Sequence, residues 1–335
     1  MKATEKLTRM APIIERYVSL KRALGRRYRN EDYVLHLLDG FVARESQEEA
    51  PDLTPQLFAA WCRTQEHLTR TVRRNRMRIA RNLCLYRRRT ELTCFVPDNA
   101  LFPRNHQRVS PYVFTEDDVR RLLAEADKLE PTGPSPLRRE NHRLAVVLLF
   151  TTGIRRGELV RLTLGDFDDK EKTLAIRETK FHKSRFVPLS ASTGSAMISF
   201  LDRRRAAGAP QLPTSPLLWN RGDGGRAYTG AGIAMGLRNL MRDAGIFKSD
   251  GRVPRVDDLR HAFAANALLR WYRAGIDITA RLPYLATYMG HVSVVSTQLY
   301  IQFAGQLAEQ AGERFEKHCG AVIPSSAQLA PGEAL

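Results

Sequence analysis

Five short motifs between positions 153 and 300 carry side chains suited to phosphate chemistry. Gly153-Ile154-Arg155-Arg156-Gly157-Glu158-Leu159 ends an apolar run. An arginine at such an edge can grip phosphate, because its planar fork matches two phosphate oxygens. It can equally form a local ion pair with Glu158. Lys180 sits in a polar turn eight residues before Pro188. A lysine there can dip into a DNA groove or stay solvated. Arg260 lies within Asp257-Asp258-Leu259-Arg260-His261-Ala262-Phe263, and His291 directly follows Gly290. Tyr300 comes nine residues after His291. Taken singly, His291 and Tyr300 read as core residues. Taken together, the five motifs offer a phenol nucleophile, cations for developing charge on oxygen, and a proton donor.

These groups need a scaffold. Thr115, followed three residues later by Asp118, is a capping signature that opens a helix carrying Val119, Leu122 and Leu123. A second helix runs through Leu144–Phe150 towards Gly153. Two β runs, Thr173–Arg177 and Arg185–Leu189, flank the polar turn that holds Lys180, His182, Lys183 and Ser184. Helices are expected over 191–206, 230–244, 257–273, 276–289, 294–301 and 304–317, with Gly290 as a helix stop.

The chain before residue 95 reads as all helix. Ile13, Ile14, Tyr17, Val18, Leu20 and Leu24 fall at helical spacing, as do Tyr33, Val34, Leu37, Leu38 and Phe41. Thr54-Pro55 starts a third helix. A fourth, about Leu68 to Arg89, has an apolar stripe of Val72, Ile79, Leu83 and Tyr86. Its other faces carry Arg70, Arg73, Arg74, Arg76, Arg78 and Arg81, with almost no acids. Such a helix repels itself unless phosphates lie alongside, so these arginines and Lys183 are the candidate DNA-contacting residues. A merely solubilising face is the other reading. The fold expected is mainly α with a small β-sheet, in two domains. Residues 1–95 form a helical DNA core-binding domain, 96–114 a Pro-rich linker, 115–320 a catalytic domain and 321–335 a loose tail.

Composition narrows the partner. The chain has 335 residues, with 53 Lys and Arg against 36 Asp and Glu, a net charge of +17. That excess is costly without an acidic partner, and nucleic acid fits it best. A membrane surface fits less well, because the basic helices also carry an apolar face for a folded core. Four cysteines, Cys62, Cys84, Cys94 and Cys319, form no C-x-x-C pair, so neither a zinc cluster nor a redox motif is read. The N-terminus lacks an apolar signal region, and a cytoplasmic, nucleoid-associated protein is expected.

In order and spacing the motifs resemble the catalytic domain of tyrosine recombinases, the phage-integrase family. The T-G-hydrophobic-R-x-x-E-L block is matched by Thr152 to Leu159. The hairpin lysine eight residues before a proline is matched by Lys180 and Pro188. The block closing on the second arginine is matched in part by 257–263, and G-H plus a tyrosine nine residues on by Gly290, His291 and Tyr300. The resemblance spans about 112–318. It implies Tyr300 as nucleophile, Arg155 and Arg260 as clamps on the scissile phosphate, His291 as a further hydrogen-bond donor and Lys180 as general acid. Glu158 would buttress Arg155, and His261 or Asp257 would take the tyrosine proton. It also implies a 3′-phosphotyrosyl intermediate that conserves bond energy, so no cofactor and no metal are expected. The two domains would clamp double-stranded DNA, four subunits would act on two duplexes as a homotetramer or with related recombinases, and the segment near Gln306–Phe315 would dock on a neighbour. The stretches Arg270-Trp271-Tyr272 and Leu282–His291 resemble enzymes of mobile elements that encode several such recombinases in a row, which implies integration or transposition.

One position departs from the family. Its usual histidine three residues before the second arginine is here Asp257. An ionised carboxylate cannot donate to phosphate and repels it, though it can accept a proton or orient an arginine. An active enzyme, a slowed one, and an impaired or partner-dependent DNA-binding subunit are the three readings. Every other position matches, which favours activity. A type IB topoisomerase, using the same chemistry on one duplex, is the neighbouring alternative.

Overall fold

A computed structural model describes residues 8–104, 111–177, 184–225 and 227–290. Contacts divide the chain into two compact units, Met1–Val109 and Ser110–Leu335.

The first unit is built from four helices: α1 (Ala11–Ala23), α2 (Arg29–Glu45), α3 (Pro55–Arg63) and α4 (Arg70–Arg87). Thr54 caps α3, its hydroxyl accepting from the Leu57 N–H at 3.2 Å. Ile14, Leu35, Leu38, Trp61 and Leu83 form the core, and Phe102 packs into it from beyond α4. Several apolar residues expected on the buried stripes face water instead. Leu20, Leu24, Tyr33, Leu37 and Val72 are exposed. In α1 the stripe is Ile13, Ile14, Tyr17 and Val18. The centre of that face next falls on Lys21, with Leu20 at its edge, and Leu24 stands past the end of the helix. Val72 lies on the same line as the buried Ile79 and Leu83 but in the first turn of α4, where no residue before Met77 is buried.

The second unit opens with α5 (Glu116–Asp127), where Thr115 and Asp118 form the reciprocal capping box at 3.1 and 2.9 Å. The buried helix α6 (Arg138–Thr152) runs through the centre, packed by α5 and by later helices. A single turn, α7 (Arg156–Leu159), leads to a three-stranded antiparallel sheet. Its strands are β1 (Phe167–Asp168), β2 (Thr173–Ile176) and β3 (Arg185–Pro188), with Leu174 opposite Val187 and Ile176 opposite Arg185. Then come α8 (Ala191–Ala206), α9 (Gly222–Gly225), α10 (Gly230–Asp243), α11 (Asp257–Arg273) and α12 (Ile278–Met289). The main core gathers Phe114, Leu148, Leu149, Leu159, Leu237 and Leu259. A smaller one, with Leu268, Leu282, Leu285 and Met289, joins α11 to α12. This is the mainly helical, small-sheet fold expected. The short β1, α7 and α9 had no counterpart in the sequence reading. The helices expected over 294–301 and 304–317 lie outside the described residues.

Among the described residues no helix is long and apolar enough to cross a membrane.

Candidate active site

The site forms where α6, α7, β3, α11 and α12 end near one another. Helix α6 stops at Gly153, which takes the left-handed conformation at φ +60°. A β-carbon there would lie 2.4 Å from the Phe263 ring of α11, so only glycine permits this approach. The chain then enters α7 at Arg155, whose backbone is extended. One turn on, Glu158 is buried.

Glu158 takes bonds on both carboxylate oxygens. Oε1 accepts from Arg155 Nη1 at 2.8 Å and Arg185 Nη1 at 3.3 Å. Oε2 accepts from the Arg155 N–H at 3.0 Å and Arg185 Nη2 at 2.8 Å. Burial alone would raise its pKa, but the bonds from Arg185 and Arg155 outweigh burial and hold it at about 2. The local pair between Arg155 and Glu158 therefore exists, and it does not exhaust Arg155. Arg155 Nη2 donates to the Gly290 carbonyl at 2.8 Å, and its side chain is 36% exposed.

Arg260 stands in the first turn of α11 and is buried. Its Nη1 donates to the Gly153 carbonyl and its Nη2 to the Met289 carbonyl at 2.7 Å. Arg185 Nε donates to the Tyr288 carbonyl at 2.8 Å. Three successive carbonyls at the end of α12, those of Tyr288, Met289 and Gly290, thus each receive a different arginine: Arg185, Arg260 and Arg155. Helix C-termini leave such carbonyls unpaired and carry partial negative charge, which suits three cations. Gly290 ends α12 at φ +67°, and a β-carbon on it would meet Arg185 Nη1 at 2.8 Å. His291 is the next residue in the chain.

Arg155 and Arg185 share the Glu158 carboxylate, and the Arg260 guanidinium ends on the neighbouring Gly153 and Met289 carbonyls. Arg155 is the most exposed of the three, and such a grouping of guanidiniums is chemically suited to an anion.

The two aspartates at the start of α11 differ. Asp258 is fully buried and accepts from the Arg255 N–H at 3.0 Å and Arg255 Nη2 at 2.8 Å, with Lys248 Nζ at 3.3 Å. It fixes the start of the helix that carries Arg260. Asp257 is exposed. His261 is half-buried, and burial lowers its pKa, with the neighbouring Asp258 partly offsetting that.

Arg185 was not singled out as a site residue from sequence. Its signal lay in the β alternation. Phe186 faces outward while Arg185 shares the inner face with Val187, and a charge on a buried face needs a partner. Tyr288 packs its ring on Phe263 and donates to the Pro188 carbonyl at 3.2 Å. Burial pushes its pKa up to about 12, with the Arg185 charge partly offsetting.

Lys180, Lys183, His291 and Tyr300 lie outside the described residues, so the structure brings together Arg155, Glu158 and Arg260 of the expected site. In the first unit the six candidate DNA-contacting arginines of α4 divide. Arg70 and Arg78 are exposed. Arg74 donates to the Pro103 carbonyl at 2.7 Å and Arg76 to Gln65 at 3.4 Å. Arg73 Nε and Arg81 Nη1 are buried without a hydrogen-bond partner among the described residues.

Comparison with known proteins gives consistent matches. The profile of the phage integrase family matches residues 112–306. The Sinorhizobium fredii protein y4rB, named as an integrase/recombinase, is 33% identical over 313 residues, covering 91% of this chain and 96% of its own. Tyrosine recombinase XerD of Mycobacterium leprae is 31% identical over 205 residues, 60% of each chain. Among solved structures, the Tn1549 transposon integrase in complex with a circular intermediate DNA superposes with a TM-score of 0.61 at 17% identity, covering 86% of this chain and 94% of that one. That likeness is one of fold.

Proposed function

The chain belongs to the phage integrase family of tyrosine recombinases, and from that premise we propose that it cuts and rejoins double-stranded DNA through a covalent bond to Tyr300. The observation that carries this reading is the holding of Arg155 and Arg260 on adjacent carbonyls, Gly290 and Met289, directly before His291. Two forks fixed this close together suit the two non-bridging oxygens of one phosphate.

The chemistry follows from these positions. A phenol with a pKa near 10 is a poor nucleophile at neutral pH. The cationic pocket lowers the cost of phenolate, and the clamped phosphate is presented for in-line attack. Tyr300 Oη bonds to phosphorus as the bond to the 5′-oxygen breaks. Lys180 gives that oxygen its proton, leaving a 5′-hydroxyl and a 3′-phosphotyrosyl bond. Arg155, Arg260 and His291 counter the charge that builds on the equatorial oxygens. His261, whose lowered pKa favours the neutral ring, or Asp257 accepts the phenol proton. A 5′-hydroxyl from another strand then reverses the step, so no nucleotide is consumed.

In this reading the first unit contacts the duplex backbone, led by the exposed Arg70 and Arg78 of α4. Each neutralised phosphate steepens the log–log salt dependence by roughly 0.9. The working assembly is a tetramer on two duplexes, and the biological role is integration or transposition of a mobile element. A plasmid bearing two copies of the native flanking DNA separates this activity from that of a topoisomerase. Exchange between the two copies supports recombination, while relaxation of a single-copy plasmid without exchange overturns it.

A further inference from the structure

We infer that Arg185 is a positioning residue for strand cleavage: it holds Glu158 and the end of α12 so that Arg155 remains a cation available to the scissile phosphate. The inference rests on the recombinase reading above.

Glu158 is a buried carboxylate, and a lone Arg155 beside it would form a neutral pair. Such a pair would turn the first arginine inward, away from an incoming phosphate. Arg155 does pair with Glu158, at 2.8 Å, but Arg185 shares the carboxylate and weakens its hold on Arg155. The two terminal nitrogens of Arg185 reach both oxygens of Glu158, at 2.8 and 3.3 Å, and its Nε reaches the Tyr288 carbonyl at 2.8 Å. With Arg185 counted, two guanidiniums share one carboxylate and the cluster keeps a net +1, 2 − 1. The Arg155 side chain is 36% exposed, that of Arg185 only 11%.

The same geometry argues against Arg185 as a phosphate ligand. Its three donor nitrogens all point inward to protein oxygens. Arg185 also binds three elements at one point: β3, the α7 turn through Glu158, and α12 through Tyr288. Tyr288 returns the link, its hydroxyl donating to the Pro188 carbonyl at the other end of β3. The strand that follows Lys180 in sequence is thereby tied to the helix whose last carbonyls hold Arg155 and Arg260. Gly290 is part of the device, since any β-carbon there would strike the Arg185 guanidinium.

An ordinary structural ion pair would lose stability, and its two single losses would add or be shared. Arg185 acting through Glu158 has a different signature. In Arg185→Gln the carboxylate stays buried and competes for Arg155. Removing its charge as well, in Arg185→Gln/Glu158→Gln, frees Arg155 again.

The test uses the full chain and a plasmid carrying its native flanking DNA, and reads the covalent adduct rate, DNA affinity and pH profile. Wild type and Tyr300→Phe run alongside. The expected result for Arg185→Gln is a loss of adduct rate of about a hundredfold, the scale for removing one oriented cation. DNA affinity should stay within about threefold, because phosphate contacts elsewhere dominate binding. The deficit should shrink as the pH falls, because Glu158 without its main partner is left to burial, which raises its pKa, and its protonation releases Arg155 as the second substitution does. The double variant should recover at least about tenfold of the lost rate. Arg185→Lys, which keeps the charge in a less demanding fold change, should lie between wild type and Arg185→Gln. Additive losses with an unmoved pH profile, or wild-type rates in Arg185→Gln, overturn the inference. If Arg185→Gln does not fold, Arg185→Lys and the double variant decide it by the same two readouts. An absence of any adduct with wild type overturns the recombinase reading instead, and with it the premise.

Discussion

Arg260 donates to the carbonyl of Met289 at 2.7 Å across 29 residues of chain. The other arm of its fork reaches the Gly153 carbonyl at the end of α6. One side chain therefore fixes the spacing between the turn that leads into Arg155 and the helix end that leads into His291. Lysine, with a single compact ammonium, cannot span both carbonyls in a plane. Arg260→Lys is expected to cut adduct formation by about a hundredfold or more while the protein still binds DNA. Wild-type adduct formation in that variant, followed on denaturing gels, would reduce Arg260 to a structural latch.

Glu158 gives the site a defined acid sensitivity. Its carboxyl has a pKa of about 2 when folded, against an ordinary 4.5. A group lowered on folding contributes stability in full above its unfolded pKa and loses it as pH falls through the folded one. The contribution, on the order of 3 kcal/mol for a buried group shifted this far, should therefore be intact at pH 7 and fade between about pH 4.5 and 2. Denaturant melts of wild type and Glu158→Gln across that range measure it. The stability gap between the two should narrow as the pH falls, and a constant gap would show that the carboxylate is not what the two arginines hold.

Gly290 meets two demands at once, a left-handed φ of +67° and a close approach by Arg185. Gly290→Ala should destabilise the protein by roughly 1–3 kcal/mol, from backbone strain and the displaced guanidinium. The loss of cleavage should exceed what that destabilisation explains. Thermal melting beside an adduct assay at low temperature separates the two, and a fully folded variant with wild-type cleavage would count against the Gly290 turn as an organiser.

Much of this arrangement could be read from local signals. The capping box of Thr115 and Asp118 and the helix stops at Gly153 and Gly290 depend on one turn of chain each, and the structure has them where the pattern put them. The two long strands also fell within a residue of expectation, Thr173–Ile176 and Arg185–Pro188. What escaped depends on distant parts of the chain. Strand β1 has two residues and no period to detect, and exists only because Phe167 finds Leu174. Arg185 looks like any strand-edge arginine until Glu158, 27 residues earlier, is seen beneath it. The exposed Leu20 and Leu24 show the converse error, since apolar type at helical spacing does not say where the packed face ends.

Asp257 stands exposed one turn before Arg260, where the family resemblance leads one to expect histidine. As an anion it disfavours phosphate, yet every neighbouring position matches. Asp257→His is expected to leave adduct formation equal to or above wild type. Complete loss of cleavage in that variant, with DNA binding intact, would give Asp257 a positive role of its own, such as accepting the phenol proton.

The central claim is that Tyr300 becomes covalently joined to DNA. Wild type and Tyr300→Phe, each expressed beside the native flanking DNA, can be denatured and captured, and the attached DNA sequenced. Adducts at discrete sites with wild type, and none with Tyr300→Phe, are the expected result. Adducts at the same sites with both proteins, or with neither while DNA binding persists, would contradict it.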